Sequence, residues 1–349
     1  MRSVFSRVTV FAAAILALPA AVPAVSAQNF KTQKFNIGGE GGTDYLAADP
    51  ATGRVFISRA THVMVVDGAT GKVLGDIPNT PRVHGIAFAP KSGHGFTTNA
   101  GDSTSTMFDL KTLAVLKRIP VGTDNPDGII YDDVSDKIVT MDHSHPAGTA
   151  TVIDPSSGSV VTRVTLTGNG PEGAVSDGKG RLFINLEDED KNAIDVVDTK
   201  TWKVVATWPI APCKGPTGIA FDRNTNRIFS GCSGTSVVVD GTTGKVVAQI
   251  KNGEGVDALG YDAAQKLIYI PAGRDGNVTV VRQDSPDKYT TVATVSTMVG
   301  AKTIAVDETK HVAYVFTPEY GPAPAGAPTT GRGRGRGPIV GAWFISIMQ

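Results

Sequence analysis

A short, mostly apolar segment recurs seven times along the chain: DYLAAD (44–49), HGIAFA (84–89), DGIIYD (127–132), EGAVSD (172–177), TGIAFD (217–222), DALGYD (257–262) and KTIAVD (302–307). Successive starts lie 40, 43, 45, 45, 40 and 45 residues apart. A period of this size is that of a four-stranded propeller blade, a unit that buries its apolar faces only against its neighbours. Each segment is followed by a turn and a second strand, as in GRVFIS (53–58), GRLFIN (180–185) and KLIYIP (266–271). A third strand then ends at an acidic turn, with Asp67, Asp109, Asp154, Asp198 and Asp240 at equivalent places. A short carboxylate there can bond the backbone two and three residues on and fix a tight hairpin. A fourth strand follows, such as KVVATW (203–208). Blade six departs from the pattern, with Arg282-Gln283 and a longer turn.

Seven first strands predict an all-β, seven-bladed β-propeller with four-stranded antiparallel blades. The seventh blade lacks a fourth strand, because the chain ends with GAWFISIM (341–348). The segment FKTQKFNI (30–37) precedes the first repeat and reads as that missing strand. Pairing the two ends would close the ring and remove two open sheet edges. Closure predicts one domain over residues 28–349, although the length alone would allow two.

The first 27 residues stand outside the repeat. Arg2 and Arg7, the apolar run from Val8 to Leu18, and Val25-Ser26-Ala27 before Gln28 have the layout of a cleavable secretion signal. The protein is therefore expected in the periplasm or outside the cell, without membrane insertion. In such a compartment Cys213 and Cys232, the two cysteines of the chain, are expected to form a disulfide. No CxxCH is present, which excludes a covalently attached c-type haem on motif grounds. With 33 basic and 33 acidic residues in the whole chain, and two of the basic ones in the signal, the remainder is slightly acidic. General attraction to nucleic acid is not expected. A monomer is.

The pattern Pro-x-Gly-Ile-Ala, an Asp-bearing turn, an aromatic second strand, a third strand ending in Val-Asp and a fourth of the T-x-x-V-V-A type resembles YVTN-repeat propellers, including YncE-like proteins. Pro216 to Asp222 with Ser236 to Ile250, and Asp195 to Trp208, carry the resemblance best. It implies the fold over nearly the whole chain. It implies no activity, because the chain has no catalytic motif to carry over.

First strands line the channel of a propeller, and the loops at their N-terminal ends form one mouth, where ligands commonly bind. The residues at that repeat position are Asp44, His84, Asp127, Glu172, Thr217, Asp257 and Lys302. Six of these seven are ionisable, so Asp44, His84, Asp127, Glu172, Asp257 and Lys302 are expected to converge, joined by His143 or His145 from the next loop of blade three. His84, Asp127, His143 and Glu172 come from consecutive blades two to four. They combine imidazole and carboxylate, the donor set for a divalent metal such as Zn²⁺, Mn²⁺ or Fe²⁺, or for a general acid and base. No HExxH or cysteine cluster supports a metal. Arg59, His62, Arg274 and Asp275 are expected at the same mouth, and Glu187 to Asp190 as a solvated acidic loop. His94 and His311 map to the opposite end.

Other motifs exclude more than they assign. Ser233 lies in Gly-Cys-Ser-Gly, which is not a nucleophile elbow. Gly38 to Gly42 precedes no helix and is not a phosphate loop. Residues 320–338 are rich in Pro, Gly and Arg and are expected to be a flexible loop within blade seven. Three functional readings stand at this point: a scaffold binding a small ligand or protein partner at the mouth, a hydrolase, lactonase or lyase using the same residues with or without a metal, and a single-stranded nucleic-acid binder.

Overall fold

A computed structural model describes residues 29–122, 124–188, 191–326 and 336–349. It contains seven four-stranded antiparallel sheets and, among the described residues, no helix. Blade one is built from Leu46–Asp49, Arg54–Ser58, Val63–Asp67 and Val73–Ile77, in that order from the channel outwards. Blades two to six repeat this meander. First strands of neighbouring blades pack side by side around the whole ring, blade seven against blade one included.

Blade seven is assembled from both ends of the chain. Lys31–Asn36 pairs antiparallel with Ile339–Met348, in a register that sets Phe35 opposite Phe344. Ile339–Met348 pairs in turn with Val312–Tyr320. Stacking of Phe35 and Tyr314 on either side of Phe344 fills the junction with blade one. The seven-bladed architecture and its closure agree with the sequence expectation. The proposed signal, residues 1–27, lies outside the described residues, as do residues 327–335 of the expected loop.

The strands form where the sequence alternates β-branched or aromatic residues, and second and third strands are buried on both faces between blades. Phe56, Phe96, Phe183 and Phe229 occupy the same place in four second strands and are fully buried. Hairpins between third and fourth strands are set by the expected carboxylates. Asp67 Oδ1 accepts from the Ala69 and Thr70 amides at 3.1 and 2.8 Å and from the Thr70 hydroxyl at 2.7 Å. Asp109, Asp154, Asp198 and Asp240 repeat the arrangement. In blade six the strands run on to Ser285 and Asp284 holds Arg282 instead, at 2.7 Å.

Cys213 and Cys232 are fully buried, with Cα atoms 5.7 Å apart, a disulfide separation. The link ties the loop entering blade five to the end of that blade's second strand.

Candidate functional site

The channel mouth is positioned by backbone, not by side-chain packing. In blades two to five a glycine follows the repeat position: His84-Gly85, Asp127-Gly128, Glu172-Gly173 and Thr217-Gly218. A Cβ on Gly173 would lie 2.7 Å from the Thr217 carbonyl oxygen, one on Gly85 2.9 Å from that of Asp127, and one on Gly128 would strike that of Glu172. Only glycine lets adjacent first strands approach this closely. In blades two to four the ladder is also interrupted at these two residues, between Val83 and Ile86, Pro126 and Ile129, and Pro171 and Ala174. Such a bulge frees the residue before the glycine from the regular in–out alternation.

Small polar side chains hold the ring carbonyls. The Ser58 hydroxyl donates to the His84 carbonyl, Thr98 to that of Asp127 and Thr303 to that of Asp44. The Asn185 amide donates to the Thr217 carbonyl at 3.2 Å. Each bond crosses from one blade to the next, so each blade fixes its neighbour's ring residue. Sequence reasoning missed these residues. The signal was a Ser, Thr or Asn near the end of three second strands, Ser58, Thr98 and Asn185, and just before the last first strand, Thr303.

The six ionisable residues are brought together. Lys302 Nζ bonds Asp257 and lies 3.4 Å from Asp44 Oδ1. Asp44 Oδ2 accepts from His84 Nδ1, which is also 3.4 Å from Asp127 Oδ2. Of the two candidate imidazoles of blade three, His143 joins them, with Nε2 3.2 Å from Glu172 Oε1. Tyr45, which the repeat pattern hid behind Asp44, reaches across the channel and donates to Glu172 Oε2 at 3.0 Å. Thr217 closes the ring as a neutral member, its hydroxyl donating to the Val256 carbonyl.

Below this layer the channel is lined by Leu46, Ile86, Ile129, Ala174, Ile219 and Leu259 around a narrow cavity of about 160 Å³. The ionisable layer is therefore a polar cup on an apolar floor. Its members are largely buried, and burial works first against every charge. Burial, aided by Asp44 and Asp257, pushes Asp127 up to about 7 despite His84. Burial raises Glu172 well above the usual carboxylate range, with Asp127 and Glu187 adding to the shift. Asp257 is raised by burial in spite of Lys302. For Asp44 the His84 hydrogen bond and the Lys302 charge outweigh burial, and its pKa falls. His84 and Lys302 are raised, because carboxylate contacts overcome the burial that opposes their charge. More carboxylates crowd the cup than its cations neutralise, an arrangement that favours an added cation or a protonated carboxyl at neutral pH.

Several residues expected at the mouth are elsewhere. Arg59 is fully buried, its guanidinium taking the carbonyls of Gly38, Gly39 and Gly41 at 3.0–3.4 Å and lying over the Phe316 ring. It clamps the crossing from the closing strand into blade one. His62 turns outward to Asp76, 3.5 Å away. His145 is exposed and contacts Asn169 at 3.3 Å, so the two histidines of His143-Ser144-His145 do not act together. The acidic run is not simply solvated. Asp188 is buried and accepts from the Asn169 and Gly170 amides, since a buried carboxylate needs donors; Glu189 and Asp190 lie outside the described residues. Asp275 likewise accepts from the Glu254 amide. His94 and His311 are at the other end, on the Pro155 carbonyl and Asp262.

Beside the cup, a cavity of about 840 Å³ extends over blades five to seven and reaches Glu187 of blade four and Thr43. Asp257 and Lys302 form its border with the cup, and Lys214, Arg274 and Arg336 also line it. Arg336 donates to Tyr320 Oη at 3.1 Å and stacks on that ring. Among the described residues, Lys214 and Arg274 have no carboxylate partner. A second, smaller cavity of about 510 Å³ lies over blades two to four, reaching His143, Asn169 and Asp188.

No protein-family model matches the sequence, and no curated protein is significantly similar to it. Solved structures are similar in fold. A chain of hydrazine synthase from Kuenenia stuttgartiensis is 18% identical, with a TM-score of 0.70 over 79% of this chain and 92% of that one. A chain of the mitotic checkpoint complex is 14% identical, with a TM-score of 0.71 over 89% and 95%. The U3-55K structure is 10% identical, with a TM-score of 0.74 over 90% and 98%. At these identities the likeness shows the propeller and nothing about activity.

Proposed function

We propose that this propeller is a binding scaffold for a small anionic ligand, seated at the channel mouth between the basic cavity and the ionisable cup. The observation that carries this reading is the pairing of a cavity of about 840 Å³, lined by Lys214 and Arg274, which have no carboxylate partner among the described residues, with a cup of Asp44, His84, Asp127, His143, Glu172, Asp257 and Lys302. A Lys or Arg not engaged by a carboxylate is available for charge-assisted hydrogen bonds to a ligand carboxylate or phosphate. Calorimetric titration with inorganic phosphate and with citrate tests it. The wild type binds at least one of them, and the double variant Lys214→Ala/Arg274→Ala binds it about tenfold or more weakly. Equal affinity in the double variant rejects the reading.

A hydrolase is favoured as second reading by one feature. Asp44 orients the His84 ring through Nδ1, leaving Nε2 buried with no hydrogen-bond partner, the geometry of a base held ready by a carboxylate. Turnover of lactones or phosphate esters, lost in His84→Ala, would support it; no turnover across such a panel would leave binding alone. Export of the chain behind a cleaved 27-residue signal, action as a monomer in the periplasm or outside the cell, and membership of the YVTN-repeat group complete the proposal. The signal layout and the repeat residues support them. The N-terminal residue of protein recovered from outside the cytoplasm tests the first: Gln28 agrees with it, Met1 does not. Nucleic-acid binding is the reading least supported, since the cup is carboxylate-rich.

A further inference from the structure

Two groups at the cup have the make-up of metal centres. In one, Asp44, His84 and Asp127 each place a ligand atom within 4.8 Å of the others. In the second, Asp127, His143 and Glu172 do the same. Asp127 belongs to both. Each group combines one imidazole with two carboxylates, a donor set suited to Mn²⁺, Fe²⁺ or Zn²⁺. A carboxylate shared by two imidazole-bearing groups is what a bridging ligand between two ions requires.

The backbone around Asp127 is arranged for such a role. Gly128 lets the Glu172 carbonyl close in, and Thr98 fixes the Asp127 carbonyl from blade two. The carboxylate is thereby set between His84 of blade two on one side and His143 with Glu172 of blades three and four on the other. His84 turns Nδ1 to both carboxylates, 3.4 Å from Asp127 Oδ2, so the imidazole nitrogen and a carboxylate oxygen of each partner lie within reach of one ion.

We infer that the cup holds two divalent transition-metal ions, one on Asp44, His84 and Asp127, the other on Asp127, His143 and Glu172, with Asp127 bridging them. This rests on the reading of the mouth as the ligand site and adds what its acidic half contributes: two divalent ions more than neutralise the three carboxylates that hold them, so the cup no longer repels an anion drawn to the cavity that Lys214 and Arg274 line. Tyr45, on the outer oxygen of Glu172, orients that carboxylate without being a ligand.

The test is loading of chelator-treated, full-length protein with Mn²⁺. Ions are counted by inductively coupled plasma mass spectrometry, and electron paramagnetic resonance reports whether they are spin-coupled. The wild type is expected to hold two coupled ions. His84→Ala and His143→Ala should each retain one, uncoupled. Asp127→Asn should lose coupling and weaken both sites by about tenfold or more. Circular dichroism and melting check that each variant is folded, and the two histidine variants decide the matter if Asp127→Asn is not. A wild type that holds no ion or one, two ions retained in both histidine variants, or coupling retained in Asp127→Asn overturns the inference. Phosphate titration of the ion-free and the loaded protein separates the two ideas. Anion binding with no ion bound in any preparation defeats the metal pair alone. Two ions with no anion binding defeats the ligand reading alone.

Discussion

The two halves of the channel mouth are built on the same repeat position and differ in chemistry. In blades two to four the position carries His84, Asp127 and Glu172, each followed by glycine at a ladder interruption, and the side chains are drawn into a buried cup. In blades five to seven it carries Thr217, Asp257 and Lys302, the cavity widens, and loop cations supply the charge. The scaffold thus fixes where a residue stands, while side-chain identity and the ladder interruption decide whether it joins the carboxylate cup or lines the wider cavity. The halves meet at Lys302, which holds Asp257 on one side and Asp44 on the other.

The strongest way to break the comparison is to open the ring where the halves join. Deletion of residues 29–37 removes the strand that covers Ile339–Met348 and the Phe35–Phe344 contact, leaving a sheet edge exposed beside blade one. The deleted protein should aggregate or lose cooperative unfolding, checked by size-exclusion chromatography and calorimetry; a monomer with unchanged melting would show the ring does not depend on that strand. Next in size is the disulfide that anchors the loop carrying Lys214. Cys213→Ser/Cys232→Ser should lower stability by about 3 kcal/mol, the entropy of closing a loop of this length, and should loosen the basic half more than the cup. Hydrogen exchange localised to blade five would show it.

Gly128→Ala sharpens the contrast from the other side. Its methyl group would meet the Glu172 carbonyl, so one strand must shift, at about 1–3 kcal/mol. Mn²⁺ binding should fall while phosphate binding is retained; loss of both would mean that the halves are mechanically one unit. Asp142→Asn probes the strand behind His143. Asp142 is fully buried, and the Thr140 and Thr151 hydroxyls donate to it at 2.8 and 2.6 Å, where blade two places Asn99 between Thr97 and Thr106. Burial pushes Asp142 up to about 7 despite those donors. A carboxyl raised in the folded state binds protons that the unfolded chain, at about 4, has released. Its protonated form therefore favours folding below about 4, and this contribution fades as pH rises toward 7. The variant should melt higher than the wild type at pH 8, by about 1 kcal/mol, with the gap closing at pH 4.

The smallest effect belongs to the outer hairpins, remote from both halves. Asp240 is lowered, its backbone and Thr243 hydrogen bonds and Arg227 outweighing the burial that would raise it. A lowered carboxylate stabilises the fold above its unfolded pKa near 4 and loses that contribution as pH falls through the folded value. Asp240→Ala should cost no more than about 1 kcal/mol at pH 7, less at pH 3, and should leave ion and anion binding unchanged. A change in either binding would tie the rim to the mouth.

Much of this was legible in the sequence. The period of 40–45 residues determined the number of blades, the acidic turns located the hairpins, and the mismatch between the chain ends located the closure, because each is a local pattern repeated at fixed spacing. The period also gathered Asp44, His84, Asp127, Glu172, Asp257 and Lys302, since a closed ring turns equal sequence positions into spatial neighbours. What only the tertiary structure decided is who faces whom across the ring and how dry the meeting place is. Arg59 and Asp188 carry charge at loop positions, yet the first clamps backbone carbonyls and the second caps backbone amides. His143 turns in and His145 out, although one residue separates them. Tyr45 meets Glu172 from 127 residues away, across the diameter of the channel. Spacing along a chain encodes the direction a strand runs and the position a residue takes on it. Contacts across a channel, and the burial that sets a carboxylate's charge, arise only when seven separate strands close around a common axis.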